Sequence, residues 1–473
     1  MSHDRLVPLI IAVALFMENM DSTIIATSLP AIASDIGANP LALKLAVTSY
    51  LLSLAVFIPA SGWTADRFGA RTVFRAAIAT FVIGSIGCAL SSSLTEFVIA
   101  RIVQGMGGAM MTPVGRLVLV RTIDKRNLVD AMAWVTMPAL VGPIIGPPVG
   151  GFITTYASWH WIFIINVPIG LIGIVLATRY IEDVRAEDLG RFDLVGMALA
   201  GLGIAALAFS LSVAGLGLIP PAMIASLAVT GVILLAAYGV HARNTSSPAL
   251  DLTLLSIATF RANVLGGSLF RLGIGALSFL LPLMLQLGFD YTPLQSGLVT
   301  FSAAVGAFAM KAFAAPIIRR FGFKRILVFN GLIAAAFTAA CALFTPSTPF
   351  FVMIAVLLIG GFFRSLQFTA TNTIAYADVD ARRMSHATPL VSVAQQLSIA
   401  AGVAVGALCI ELALQIKGGV VITAADFRPA FLVIGTIAAS SAVLFWSLPP
   451  DAGASIANRA PIAAPDASDQ RVG

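Results

Sequence analysis

Gly62-Trp63-Thr64-Ala65-Asp66-Arg67-Phe68-Gly69-Ala70-Arg71 joins two apolar runs, one beginning near residue 46 and the next near residue 75. Too few residues separate the runs for a floppy linker, so the segment reads as a tight hinge in which glycine allows the turn. On either side the chain stays apolar over the length a spanning helix needs, roughly 20 residues at about 1.5 Å each. An aspartate between arginines at such a hinge can pair across helix ends in one conformation and release in another. Gly62, Asp66, Arg67, Gly69 and Arg71 are therefore candidate gating residues. The plainer reading is that the arginines only fix membrane orientation. The stretch is echoed by Arg319-Arg320-Phe321-Gly322-Phe323-Lys324-Arg325, which lacks the acidic residue, so no symmetric gate is expected there.

Outward from this hinge the chain supplies about fourteen apolar spans, beginning near residues 7, 46, 75, 96, 131, 161, 192, 220, 260, 294, 326, 350, 385 and 429. The echo relates two halves by duplication. It falls eight spans after the original and not six, so two helices are expected to be inserted between six-helix halves. Spans seven and eight, rich in Gly, Ala and Leu and nearly free of ionisable residues, are the candidates. The expected architecture is an all-α polytopic membrane protein: an N-terminal six-helix bundle over 1–181, two inserted helices with linkers over 182–258, and a C-terminal six-helix bundle over 259–448. A disordered tail, 449–473, completes the chain.

Composition agrees with this class, since 59% hydrophobic residues, 11% charged residues and a mean hydropathy of +0.96 exclude a solvated globular surface. The apolar N-terminal run is interrupted by Glu18 and Asp21 and lacks a small-residue cleavage site, so it reads as a retained helix and not a signal peptide. The net charge of +6 does not call for nucleic acid, because the basic residues sit in alternate short loops. One set of loops holds Arg67, Arg71 and Arg75, then Arg121, Lys125 and Arg126, then Arg185 and Arg191, then Arg319, Arg320, Lys324 and Arg325, then Arg382 and Arg383. The opposite loops hold little beyond Lys44, Lys417 and Arg428, so both termini are expected to be cytoplasmic. Cys88, Cys341 and Cys409 lie in apolar runs and read as packing residues, and neither a metal nor a cofactor is implied.

Charges inside the spans are the sharpest pointers, because an ionisable group at membrane depth costs several kcal/mol unless it is paired or wet. Glu18 lies about 15 Å and Asp21 about 20 Å from the inner end of the first span, one turn apart on one face. Arg101 reaches a similar depth from the other side, which allows contact with Asp21 directly or through Gln104. None of the four histidines lies at midplane depth, so Glu18, Asp21 and Arg101 are the candidate proton-coupling set. Burial favours a protonated carboxyl and a neighbouring arginine an ionised one, so exposure to one side or the other can switch protonation. In the second half Arg271 and Arg364 are the candidate substrate-binding cations, and Gln104, Gln286, Gln367 and Asn372 the candidate uncharged contacts. Helix-to-helix hydrogen bonding is the alternative for these amides, as for Gln395 and Gln396. Arg116 and Lys311 read as snorkelling cations, with Glu411 near the outer end of its span. Gly142-Pro143-Ile144-Ile145-Gly146-Pro147-Pro148-Val149-Gly150-Gly151 should bend the fifth span and let a neighbour approach closely, so Gly142, Pro143, Gly146, Pro147, Gly150 and Gly151 are candidates for a packing motif that can resist leak, with ordinary membrane-helix punctuation the plainer reading.

The hinge at 62–71 resembles the signature between the second and third helices of the major facilitator superfamily. Arg101-Ile102-Val103-Gln104-Gly105-Met106-Gly107-Gly108 is similar to that family's intramembrane arginine motif, and 142–151 resembles the motif of its antiporters. Taken with Met20-Asp21-Ser22-Thr23-Ile24-Ile25, Leu29-Pro30 and Trp159-His160-Trp161-Ile162-Phe163-Ile164-Ile165-Asn166-Val167-Pro168, nearly the whole chain resembles the fourteen-spanner drug:proton antiporters. The resemblance implies the major facilitator fold and proton-driven export of small molecules, often lipophilic cations. The charge balance favours another cargo: Arg101, Arg271 and Arg364 against Glu18 and Asp21 suit an organic anion or an anionic metal chelate. A membrane sensor without transport is the reading of a different class. No nucleophile and base, and no metal ligands, share a depth as an enzyme would require, so an enzyme is not expected. The expected partners are a small-molecule substrate, protons and the lipid bilayer, with a periplasmic adaptor left open and a monomer otherwise. The expected location is a bacterial inner membrane.

Overall fold

The computed structural model describes residues 3–123, 128–182, 192–380, 383–419 and 421–454. Lys125, Arg126, Arg185, Arg191, Arg382 and the tail beyond residue 454 lie outside the described residues. Helix dominates and no strand occurs among the described residues, as lipid demands of a chain whose backbone must satisfy itself within each segment. Among the described residues, thirteen helices are long and apolar enough to span a membrane. In the first half they are α1 (Leu6–Thr27), α2 (Pro40–Phe68), α3 (Ala70–Leu90), α4 (Leu94–Thr122) and α6 (Trp161–Tyr180). Next come α7 (Leu194–Val213) and α8 (Pro221–Asn244), and then α9 (Ala258–Gly288), α10 (Pro293–Phe321), α11 (Phe323–Leu343), α12 (Phe350–Ile374), α13 (Met384–Lys417) and α14 (Ala424–Trp446). These thirteen and α5 (Leu128–Tyr156) account for the fourteen spans.

In the first half α1 packs on α5 and α6, α3 on α4 and α6, and α2 on α4. In the second half α10 packs on α12, α9 on α13 and α14, and α11 on α12 and α14. The pair α7 and α8 pack on each other, and α7 lies against α2 and α13. Among these thirteen helices α8 is the least buried, so it sits at the periphery of the bundle. The repeat is visible in the backbone: Gly69 between α2 and α3 has φ +93° and Gly322 between α10 and α11 has φ +78°, a region L-residues avoid.

Arg67, Arg71, Arg121, Arg319, Arg320, Lys324, Arg325 and Arg383 collect at one end of the helices, the arginine-rich end. The two halves are joined at the opposite end. Lys44 Nζ on α2 lies 2.9 Å from Glu411 Oε1 on α13, Gln286 Nε2 donates to the Thr27 carbonyl at 2.9 Å, and the Leu294 amide donates to Thr155 Oγ1 at 3.1 Å. Lys44 therefore does not sit in a loop, and Glu411, near the outer end of its span, is buried with it: their side chains are 0% and 6% exposed, held by each other across the bundles.

Candidate functional site

The centre of the first bundle is a carboxylate that accepts hydrogen bonds from two neighbouring helices, α4 and α6. Asp21 on α1 is fully buried. Its Oδ2 accepts from Arg101 Nη1 at 2.8 Å, and its Oδ1 accepts from Gln104 Nε2 and from Asn166 Nδ2, each at 2.8 Å. Arg101 and Gln104 lie one turn apart on α4 and meet the same carboxyl because i and i+3 share a helix face. Asn166 comes from α6, and Ser85 on α3 closes the ring by accepting from Gln104 Nε2 at 2.8 Å and from Asn166 Nδ2 at 3.2 Å. Arg101 also donates to Gln104 Oε1 and lies over the Tyr50 ring of α2, its Cζ 4.2 Å from the centroid. Three N–H donors, one of them a guanidinium, converge on this one carboxyl and hold it in place.

Glu18 has a different setting one turn down α1. It is half-buried, and its Oε2 accepts from Thr112 Oγ1 on α4 at 2.7 Å. One carboxyl is thus locked by several donors and the next is held by a single hydroxyl, an arrangement in which the second can change protonation without dismantling the first.

The second bundle carries cations. Arg271 on α9 is fully buried; its Nη2 donates to Asn372 Oδ1 at 2.7 Å and its Nη1 to the Asn263 carbonyl at 3.4 Å, while Nε has no partner. Arg364 on α12 is half-buried and makes no hydrogen bond or ion pair with a described residue. Lys311 on α10 donates to Thr369 Oγ1 at 3.1 Å. Gln367 is fully buried and ties α12 to α11, donating to the Leu327 carbonyl at 2.9 Å and accepting from Asn330 Nδ2 at 3.1 Å. Gln104 serves Asp21 inside the first bundle, and Gln286 serves the closure between bundles.

At the hinge, Asp66 Oδ1 pairs with Arg121 Nη2 at 2.5 Å, which ties the end of α2 to the end of α4. Arg67 is exposed over Trp63 and Phe68, and Gly62 is exposed with open space around it. Arg71 is half-buried. The Gly-Pro run of α5 works as a close-packing strip. A Cβ on Gly142 would lie 3.0 Å from the Met20 amide nitrogen, one on Gly146 2.3 Å from Thr23 Oγ1, and one on Gly150 2.4 Å from the Ile24 carbonyl, all on α1. Gly151 meets the second bundle, where a Cβ would lie 2.4 Å from the Pro293 carbonyl. Pro143 and Pro147 lie within the helix, and a Cβ on Gly297 would lie 2.5 Å from the Pro147 carbonyl.

Asn166, Ser85, Thr112 and Tyr50 were not singled out as site residues by the sequence. The signal that was available was Asn166 itself, a strongly polar residue inside Ile162-Phe163-Ile164-Ile165-Asn166-Val167. Ser85 and Thr112 carry no such signal, since hydroxyls in spans commonly bond their own helix, as Ser53's neighbour Ser49 and Thr48 do here.

The sequence profile of the Major Facilitator Superfamily matches residues 11–402 and 263–467. A protein of Yersinia enterocolitica named MdtD for multidrug resistance is 36% identical over 447 residues, covering 94% of this chain and 95% of its own length. Its namesake in Yersinia pestis is 37% identical over 448 residues, covering 94% and 96%. Among solved structures, the crystal structure of a D-xylose-proton symporter superposes with a TM-score of 0.68 at 15% identity, covering 96% of this chain and 99% of that one. At that identity the likeness speaks for the fold alone.

Proposed function

We propose that this chain, which belongs to the major facilitator superfamily, is a proton-coupled exporter that exchanges small molecules for protons across the bacterial inner membrane. The multidrug-resistance name shared by its relatives supports drug-like cargo. The observation that carries proton coupling is the paired setting of Glu18 and Asp21, one loosely held and one locked by Arg101, Gln104 and Asn166. Two bundles rocking about a central site would alternate its exposure. The positive-inside rule makes the arginine-rich end and both termini cytoplasmic, so the side closed by Lys44 and Glu411 is the outer one. When that side opens, cargo leaves and Glu18 takes a proton from the outer solution. When it closes and the inner side opens, Glu18 gives the proton to the cytoplasm, and the Asp21–Arg101 contact stays in place throughout. The exchange needs cargo, protons and bilayer, with the chain working as a monomer and any periplasmic adaptor docking on the outer side.

A second reading concerns cargo charge. Arg271, Lys311 and Arg364 lie in the spans of the second bundle, where Glu411 and Asp426 are the only acids, and these are engaged by Lys44 and Lys417. Uncompensated cations at depth favour an organic anion or an anionic metal chelate over a lipophilic cation. Accumulation assays in cells expressing the chain, run with a panel of lipophilic cations and a panel of organic anions, decide between them. Lower accumulation of cations alone, unchanged by Arg364→Gln, removes the anion reading; lower accumulation of neither panel removes export.

A further inference from the structure

We infer that Tyr50 is a positioning residue of the proton site: its hydroxyl is the alternate partner of Glu18, and its ring links that exchange to Arg101. This rests on the proton coupling proposed above. Tyr50 is 1% exposed, and its hydroxyl has no hydrogen-bond partner although it is fully enclosed. Buried hydroxyls are ordinarily bonded, so an orphan beside a titratable carboxyl points to a partner taken up in another state. Gly108 on α4 shows which carboxyl that is. A Cβ at Gly108 would lie 3.1 Å from Tyr50 Oη and 3.6 Å from Glu18 Cγ, so the two side chains flank one missing methyl group.

Thr112, the partner Glu18 has in this conformer, is one turn along α4 from Gly108. Glu18 therefore stands over a short stretch of α4 with a hydroxyl at each end, one bonded and one waiting. Rotation of its carboxyl trades the Thr112 donor for the Tyr50 donor. The charged and titratable groups facing Tyr50 are Glu18 and Asp21 on α1 and Arg101 on α4, with Cys88 of α3 behind Gln104 and Arg116 further along α4. Because the ring lies against the Arg101 guanidinium, a shift of Tyr50 toward Glu18 changes the contact that holds the Asp21 partner in place. Glu18 and Asp21 are then coupled through one side chain and not only through space.

The test uses the full chain in energised inverted vesicles, with cargo-driven proton release followed between about pH 5 and 9, a range wide enough to show a one-unit move of the midpoint. Tyr50→Phe keeps the ring over Arg101 and deletes only the hydroxyl. Losing a donor to ionised Glu18 lets the proton stay on to higher pH, so the midpoint of the profile moves up by about one unit, a tenfold change in proton affinity. Gly108→Ala places a methyl between the two groups and moves the midpoint the same way by a different route. A Tyr50→Phe or Gly108→Ala profile that superimposes on the native one, while Glu18→Gln abolishes release, overturns the role of Tyr50 and leaves Glu18 standing. A Glu18→Gln chain that releases protons as the native chain does overturns the parent reading and this one with it.

Discussion

Arg101 has no water to fall back on. It is 1% exposed, and its charge is answered by Asp21 alone, with Gln104, the Ala46 carbonyl and the Tyr50 ring also against it. Removing one partner of a buried pair strands the other, at about 3–5 kcal/mol. Arg101→Ala should therefore lower the thermal unfolding temperature in detergent sharply. The double replacement Arg101→Met with Asp21→Asn, which removes both charges, should recover most of that loss, and a double chain as unstable as the single one would show that the pair is not the source. The same residues show what the sequence could disclose. Asp21, Arg101 and Glu18 stand out because lipid tolerates few charges, and their approximate depths follow from helix rise. Asn166, Ser85 and Tyr50 complete the site by coming from other helices, α6, α3 and α2, with Asn166 145 residues from Asp21 along the chain, and no local pattern records such contacts.

At the scale of elements, the closure between α2 and α13 is a set of contacts that must part when the bundles rock. Lys44 Nζ bonds Glu411 Oε1 and, at 3.1 Å, the Ala214 carbonyl at the end of α7, so the inserted pair touches the closure as well. In a chain whose own cysteines are replaced by alanine, Leu294→Cys reports access at this end. Lys44→Met should raise its labelling by a membrane-impermeant maleimide several-fold, and the charge swap Lys44→Glu with Glu411→Lys should bring labelling back down. Equal labelling in all three chains would show that the pair does not hold the bundles together. The sequence placed Lys44 in a loop because a span is expected to exclude lysine; only the partner on α13, far along the chain, makes its burial tolerable.

The inserted pair has its own anchor at the other end. Asp193 accepts from the Gly196 amide at 2.7 Å and the Ala249 amide at 3.1 Å, with His241 Nε2 2.7 Å away. Burial pushes the Asp193 carboxyl up, but these partners outweigh it and hold it below its usual range. A folded-state value below the unfolded one contributes stability that is present above the unfolded value of about 4 and lost as pH falls through the folded value. Asp193→Asn should accordingly unfold at a lower temperature than the native chain near pH 7, and the gap should shrink once the pH drops below about 4. A gap independent of pH would contradict the assignment.

For the whole molecule, the architecture was legible because lipid permits few alternatives. Fourteen apolar spans set the helix count, and Gly69 of the hinge and Gly322 of its echo share a positive φ. Span starts drifted where polar residues extend a helix. The run read as beginning near residue 46 starts at Pro40, where the Asn39 side chain accepts from the Leu41 amide. Which bundle face meets which was not legible, since Gly151 against Pro293 and Gly297 against Pro147 depend on contacts between glycines and carbonyls that carry no charge or period. The central claim, that export is exchanged for protons through Glu18 beside a locked Asp21, is tested most directly by cargo-induced proton release from energised inverted vesicles holding the native chain, Glu18→Gln or Asp21→Asn. The account predicts release in the native chain and its loss in both variants; release that persists at the native level in Glu18→Gln would contradict it.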